Sequence, residues 1–129
     1  MSTVVLDASA VLALLHQEPG AKTVEGALGD ALMSVVGMAE VASHFHRRGM
    51  PPDLVARMLR PLPVTLVPAD ADLCWEAARL HGVTADAGLS LGDSFCLALA
   101  KRDRLPVWTA NKRWKAIVDI AEVKVVVIR

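Results

Sequence analysis

Long apolar runs are missing from this 129-residue chain, although 53% of its residues are hydrophobic. The Val, Leu and Ala stretches are short and broken by charges, so none approaches the roughly 18 residues of a membrane span. Cysteine is scarce: Cys74 and Cys96 stand alone, without CxxC or Cys/His spacing. They read as small buried hydrophobes of a cytosolic protein rather than as a disulfide pair or a zinc motif. An excess of one charge is also missing. The formal net charge is zero, which argues against a wholly basic nucleic-acid binder. The N-terminus lacks a basic region and turns acidic at Asp7, so no signal peptide is expected. Internal repeats, low-complexity tracts and linkers are absent too. Together these point to one compact cytoplasmic domain, residues 1–129, able to bury a core without staples.

What is there is an alternation. Val4-Val5-Leu6 reads as a short buried strand that ends at Asp7, and apolar residues on nearly every side mark a helix from Ala8 to His16. Glu18-Pro19-Gly20 breaks it, and a second short helix runs from Ala21 to Leu28. Ala31–Ser34 is a strand, and apolar positions 38, 41, 42 and 45 give helical periodicity from Val36 to Arg48. Pro51-Pro52-Asp53 opens a helix to about Arg60. Val64–Val67 is a strand, Asp70–His81 a helix and Thr84–Ser90 a loop. Gly92–Arg102 is a helix, Pro106–Thr109 a strand, Asn111–Ile117 a short helix and Val123–Ile128 a last strand. This order predicts an α/β domain with a mostly parallel central sheet of about five strands and helices on both faces. The strands are apolar throughout, as doubly buried strands are.

Three acids stand out by position. Asp7 lies where the first strand meets a helix, at the carboxyl edge where open α/β sheets bind ligands. Glu40 sits in the apolar stretch Val35–Ala42, and Asp93 in the apolar stretch Leu89–Cys96 at a helix start. Each also has a structural reading: Asp7 and Asp93 as helix caps, Glu40 on a solvent face. Capping and a functional role are compatible. A lone carboxylate among apolar neighbours is costly to bury without a partner. If the three converge, their repulsion calls for a cation, and hard carboxylate oxygens suit Mg²⁺ or Mn²⁺. Such a site suits phosphodiester hydrolysis. Lys101, Arg102, Arg104, Lys112, Arg113 and Lys115 crowd the C-terminal third, either as a solvated face or as a patch for a phosphate-bearing partner. His16, His44, His46 and His81 show no ligand spacing except His44-x-His46, whose rings leave a helix on different sides, so no zinc site is expected there.

Four stretches make the chain resemble a PIN domain, and most of all the VapC-type ribonuclease toxins of bacterial toxin–antitoxin pairs. They are Val5-Leu6-Asp7-Ala8-Ser9-Ala10, Met38-Ala39-Glu40-Val41, Leu91-Gly92-Asp93-Ser94 and Trp108-Thr109-Ala110-Asn111-Lys112-Arg113-Trp114. The resemblance spans the chain and implies a Mg²⁺- or Mn²⁺-dependent endoribonuclease. Asp7, Glu40 and Asp93 match the family's acidic metal-binding positions, and Ser9 and Thr109 its supporting hydroxyls. Asn111 stands at the fourth catalytic position, where many relatives have Asp. It offers a carbonyl oxygen but no charge, which weakens the case for a second ion; it also suits a helix cap. Lys112, Arg113 and Lys115 follow this motif and are expected to border the site and hold the RNA backbone. Trp108 and Trp114 are expected in the core rather than stacked on a base. The resemblance further implies a homodimer and a cognate VapB-type antitoxin, whose amphipathic tail would lie near Met33–Phe45 or along Pro51–Leu62, where Met50, Leu54, Met58 and Leu59 can form an adaptable surface, core packing being the default for each.

Two other readings remain. One is a phosphatase or receiver-like domain with Asp7 as phosphate acceptor; Asp7-Ala8-Ser9 lacks the second Asp of the usual phosphatase pair. The other is a non-catalytic PIN-like binding module that lost its chemistry through Asn111.

Overall fold

The computed structural model describes residues 1–129 and every side chain except that of Ile120. Strand β1 (Val4–Leu6) lies at its centre, with all three residues buried. Parallel pairing extends the sheet to five strands in the order β3-β2-β1-β4-β5, where β2 is Ala31–Ser34, β3 Thr65–Val67, β4 Val107–Thr109 and β5 Val125–Val127. Parallel strands need crossovers, and helices supply them: α1 (Ala8–Leu15), α2 (Ala21–Ala27), α3 (Val35–Arg47), α4 (Pro52–Leu59), α5 (Ala71–Thr84), α6 (Leu91–Asp103) and α7 (Val118–Ala121).

The pleat sorts alternate residues onto two cores. Val5, Leu32 and Val107 face α5, α6 and the 3₁₀ segment Lys112–Ile117, packing with Leu80, Leu97 and Trp114. Val4, Leu6 and Met33 face α1–α4, packing with Val11, Val41 and Phe45. Trp114 is fully buried and Trp108 packs on the second core. No helix among the described residues is long and apolar enough to cross a membrane.

Several expectations need correction. The sheet is wholly parallel, but its strands are not all doubly buried. Thr65 and Leu66 of β3 are exposed and β5 is half-buried, because both are edge strands with one free side. Cys74 is exposed and only Cys96 is buried. Helix α5 continues through Gly82 to Thr84, and the expected loop holds a 3₁₀ turn at Ala85–Ala87. The short helix after Asn111 is 3₁₀ and leads into α7, which the residue pattern did not suggest. Of the residues offered for the tail, Leu59 takes the default place in the core, whereas Leu54 is 45% exposed.

Candidate active site

Asp7 occupies the carboxyl end of the central strand. Its backbone N–H still donates to the Trp108 carbonyl (3.2 Å), so it is held in the sheet while its side chain caps α1 by accepting from Ala10 N (2.8 Å). Ser9 Oγ donates to the carboxylate at 2.8 Å from each oxygen, and Thr109 Oγ1, from the adjacent strand β4, donates at 2.6 Å. The two hydroxyls are themselves oriented from behind. Ser9 Oγ accepts from Ala110 N (2.9 Å) and Thr109 Oγ1 from Asn111 N (3.0 Å). Asp7 is only 2% exposed. Burial pushes its carboxyl up to about 7, against the hydrogen bonds from Thr109, Ala10 and Ser9, and the charge of Asp93 adds to the rise. Both oxygens are thus occupied and covered, which disfavours Asp7 as the free nucleophile of a phosphate acceptor.

Asp93 comes from the first turn of α6. Ser90 and Asp93 form a reciprocal capping box: Asp93 N donates to Ser90 Oγ (3.1 Å) and Ser90 N to Asp93 Oδ2 (2.8 Å). Burial raises the Asp93 carboxyl, and the bonds from Ser90 and the nearby His81 oppose the rise. Glu40, on α3, reaches across to the same helix start. Ser90 Oγ is 3.4 Å from Glu40 Oε2, a long contact that bridges the two acids. Burial raises Glu40 as well, and Asp93 repels it further. Gly92 lies directly beneath Glu40, where a Cβ would overlap the carboxylate. The thiol of Cys96, pushed up by its own burial, also feels Asp7, Asp93 and Glu40. The three acids therefore lie within electrostatic reach of one another near the end of β1.

Asp93 and Glu40 line a cleft of about 950 Å³ together with Ser9, while Asp7 lies just under Ser9. Among the described residues, none of the three forms an ion pair with Lys or Arg. Nor do any three His, Cys, Asp or Glu side chains sit close enough to grip one ion together. This donor set fits a hard divalent ion of the Mg²⁺ type, which binds through one or two carboxylates and keeps several waters. It does not fit a preformed all-protein cage.

The remaining expected site residues are more dispersed. Asn111 caps the 3₁₀ segment, accepting from Arg113 N (3.0 Å), and does not line the cleft; only its backbone N–H reaches toward the site, donating to Thr109 Oγ1. Lys112, Arg113 and Lys115 are exposed and also lie outside the cleft lining. Arg113 packs along Gly88, on the segment that leads into Ser90 and Asp93. The cations that do line the cleft are Arg47 and Arg48 at the end of α3, with His44 one turn after Glu40. Cations at the end of a helix also suit its C-terminus on any face, which by itself does not point to the cleft. Their helical spacing from Glu40 was the available signal. Ser90 was likewise missed as the link between two acids, although its Ser-x-x-Asp spacing is that of a capping box.

Fold and site together define a single-domain α/β protein with an acidic cleft at the carboxyl edge of a parallel sheet. The profile of the PIN domain family matches residues 4–120, and the chain belongs to that family. A ribonuclease VapC of Mycolicibacterium smegmatis is 36% identical over 132 residues, covering 92% of this chain and 98% of that protein. Among solved structures, VapBC-5, a toxin–antitoxin system member from Mycobacterium tuberculosis, matches with a TM-score of 0.64 and 25% identity over 98% of both chains. VapC20 of the same organism, a toxin that cleaves the sarcin–ricin loop, shares the fold with a TM-score of 0.73 and 16% identity, over 88% of this chain and 94% of that one.

Proposed function

We propose that this protein is a divalent-metal-dependent endoribonuclease and the toxin of a toxin–antitoxin pair. The observation that carries the proposal is the clustering of Asp7, Glu40 and Asp93 near the end of the central strand, with none of them ion-paired to Lys or Arg among the described residues. The similarity of the chain to the ribonuclease VapC relative over nearly its whole length supports the choice of RNA. Mg²⁺ or Mn²⁺ is the proposed ion, held through one or two of these acids with water in its other positions. When bound, it supplies a water acidified toward neutral pH and offsets charge on the phosphate.

The protein's own groups then have distinct tasks. Ser9 and Thr109 hold the Asp7 carboxylate in one orientation, and the capping box with Ser90 does the same for Asp93. Arg47 and Arg48 lie along the cleft from the acids, where they would take phosphates flanking the scissile bond. A partner segment entering the same cleft would inactivate the enzyme by displacing RNA. A protein antitoxin is proposed for that role, in keeping with the toxin–antitoxin system to which the VapBC-5 relative belongs.

The test is cleavage of total RNA by the purified chain with Mg²⁺, with Mn²⁺ and with EDTA, beside Asp93→Asn. Discrete fragments are expected that require the ion and vanish in the variant. Cleavage that survives EDTA, or proceeds at the wild-type rate in Asp93→Asn, would sink the mechanism. A second measurement addresses the basic wall. Changing Arg47 and Arg48 together to Ala is expected to weaken RNA binding and to flatten its salt dependence by about one unit of slope per lost phosphate contact. An unchanged slope would remove both residues from the RNA path.

A further inference from the structure

His16 and His44 lie 28 positions apart in sequence, yet their Nε2 atoms meet at 3.0 Å. The sequence spacing of the histidines does not suggest this contact. His16 follows the last residue of α1 and His44 lies in α3, so the pair joins two helices across the rim of the cleft. Phe45 fixes both rings: its centroid is 5.4 Å from that of His16 and 5.1 Å from that of His44, and it is itself buried. His16 is exposed and His44 half-buried. They face an adjoining cavity of about 340 Å³ that Glu18, Arg48 and Arg129 also line.

We propose that this pair is a second metal site, selective for a late transition ion such as Zn²⁺ and separate from the acidic site. Two nitrogens each about 2.0–2.1 Å from a tetrahedral ion sit roughly 3.3 Å apart. The pair is already within a few tenths of an ångström of that separation. Neutral imidazole is the form that binds metal. Burial and the charges of Arg48 and Arg47 hold His44 below its usual range, against a smaller opposing effect of Glu18.

The surrounding charge sets the selectivity. Arg48 and Arg129 repel a cation, and Glu18 offsets them only in part because Arg129 lies 3.8 Å from it. An ion that binds mainly through charge, such as Mg²⁺, is disfavoured there. An ion with intrinsic affinity for imidazole is retained, in the order expected for nitrogen ligands. The two histidines supply two ligands, and water fills the others. Occupancy would clamp α1 to α3.

The test uses the full chain with ZnCl₂, in buffer holding excess Mg²⁺, read by calorimetry and by melting temperature. A one-to-one binding event and a rise of about 5 °C are expected. His16→Asn and, separately, His44→Gln should each weaken Zn²⁺ binding by about tenfold or more while the metal-free proteins melt near the wild type. Asp93→Asn, which disables only the acidic site, should bind Zn²⁺ as the wild type does. No binding by the wild type would overturn the proposal. So would retention of full affinity in either histidine variant, or its loss in Asp93→Asn. None of these readouts depends on RNA cleavage, so failure of the ribonuclease reading would leave this result standing on its own.

Discussion

Asp7→Asn is expected to abolish RNA cleavage and, at pH 8, to make the protein more stable than the wild type. Both effects come from the same burial. The wild-type carboxyl is pushed up from 3.8 to about 7. Between pH 4 and 7 the unfolded chain therefore gives up a proton that the folded protein keeps, and stability falls as pH rises through that window. Above pH 7 the penalty is complete, and a shift of this size corresponds to as much as about 4 kcal/mol. Below pH 4 it disappears. Asn removes the charge and preserves the shape. Its carbonyl oxygen can accept from Ala10 N, and its NH₂ group can donate to Ser9 Oγ and Thr109 Oγ1, each of which accepts only one backbone N–H at present. The two hydroxyls, 3.1 Å apart, can bond to each other instead. Melting curves of both proteins from pH 4 to 8 check this. The variant should gain on the wild type steadily as pH rises and match it near pH 4. A variant less stable than the wild type at pH 8 would mean that the carboxylate contributes structurally as an anion.

That trade of stability for charge is characteristic of a functional carboxylate, and it was only half legible in the sequence. The apolar run Val4-Val5-Leu6 followed by Asp7 announces a buried strand with an acid at its end, and the alternation of strands and helices announces the parallel sheet. Which strands lie at the edges is not written in the same way. Thr65-Leu66-Val67 looks as buried as Val4-Val5-Leu6 in a one-dimensional reading, but the strand order leaves it exposed. The convergence of Glu40 and Asp93 was inferred from their apolar surroundings and motif order. The contact that joins them, through Ser90, depends on how α3 crosses α6. The same holds for the His16–His44 pair, which no local spacing encodes. Arg47 and Arg48 were overlooked because their position suits a helix C-terminus on any face; only the packing of α3 turns them into the cleft. The C-terminal Lys112, Arg113 and Lys115 attracted attention by adjacency to a motif, and adjacency in sequence did not put them on the cleft wall.

Gly92→Ala tests the packing rather than the charges, and it is expected to lower the cleavage rate about a hundredfold while the fold survives. Gly92 is buried at the start of α6, and the Cβ of an alanine there would occupy the space of the Glu40 carboxylate. The obstructing atoms belong to the end of a flexible side chain, so Glu40 can rotate away and the helices need not part. Alanine also favours the helix over glycine by up to about 1 kcal/mol, which offsets part of any strain. The cost falls on geometry. Glu40 would lose its contact with Ser90 and its place beside Asp93, and displacement of a reacting group by about 1 Å can cost on the order of a hundredfold. Melting temperature and single-turnover cleavage, measured together with Glu40→Gln, separate the possibilities. A small change in melting temperature with a large loss of rate, similar to that of Glu40→Gln, would place Glu40 in the reaction. Full activity in Gly92→Ala would show that Glu40 is only a neighbour of the site, leaving Asp7 and Asp93 as its working acids.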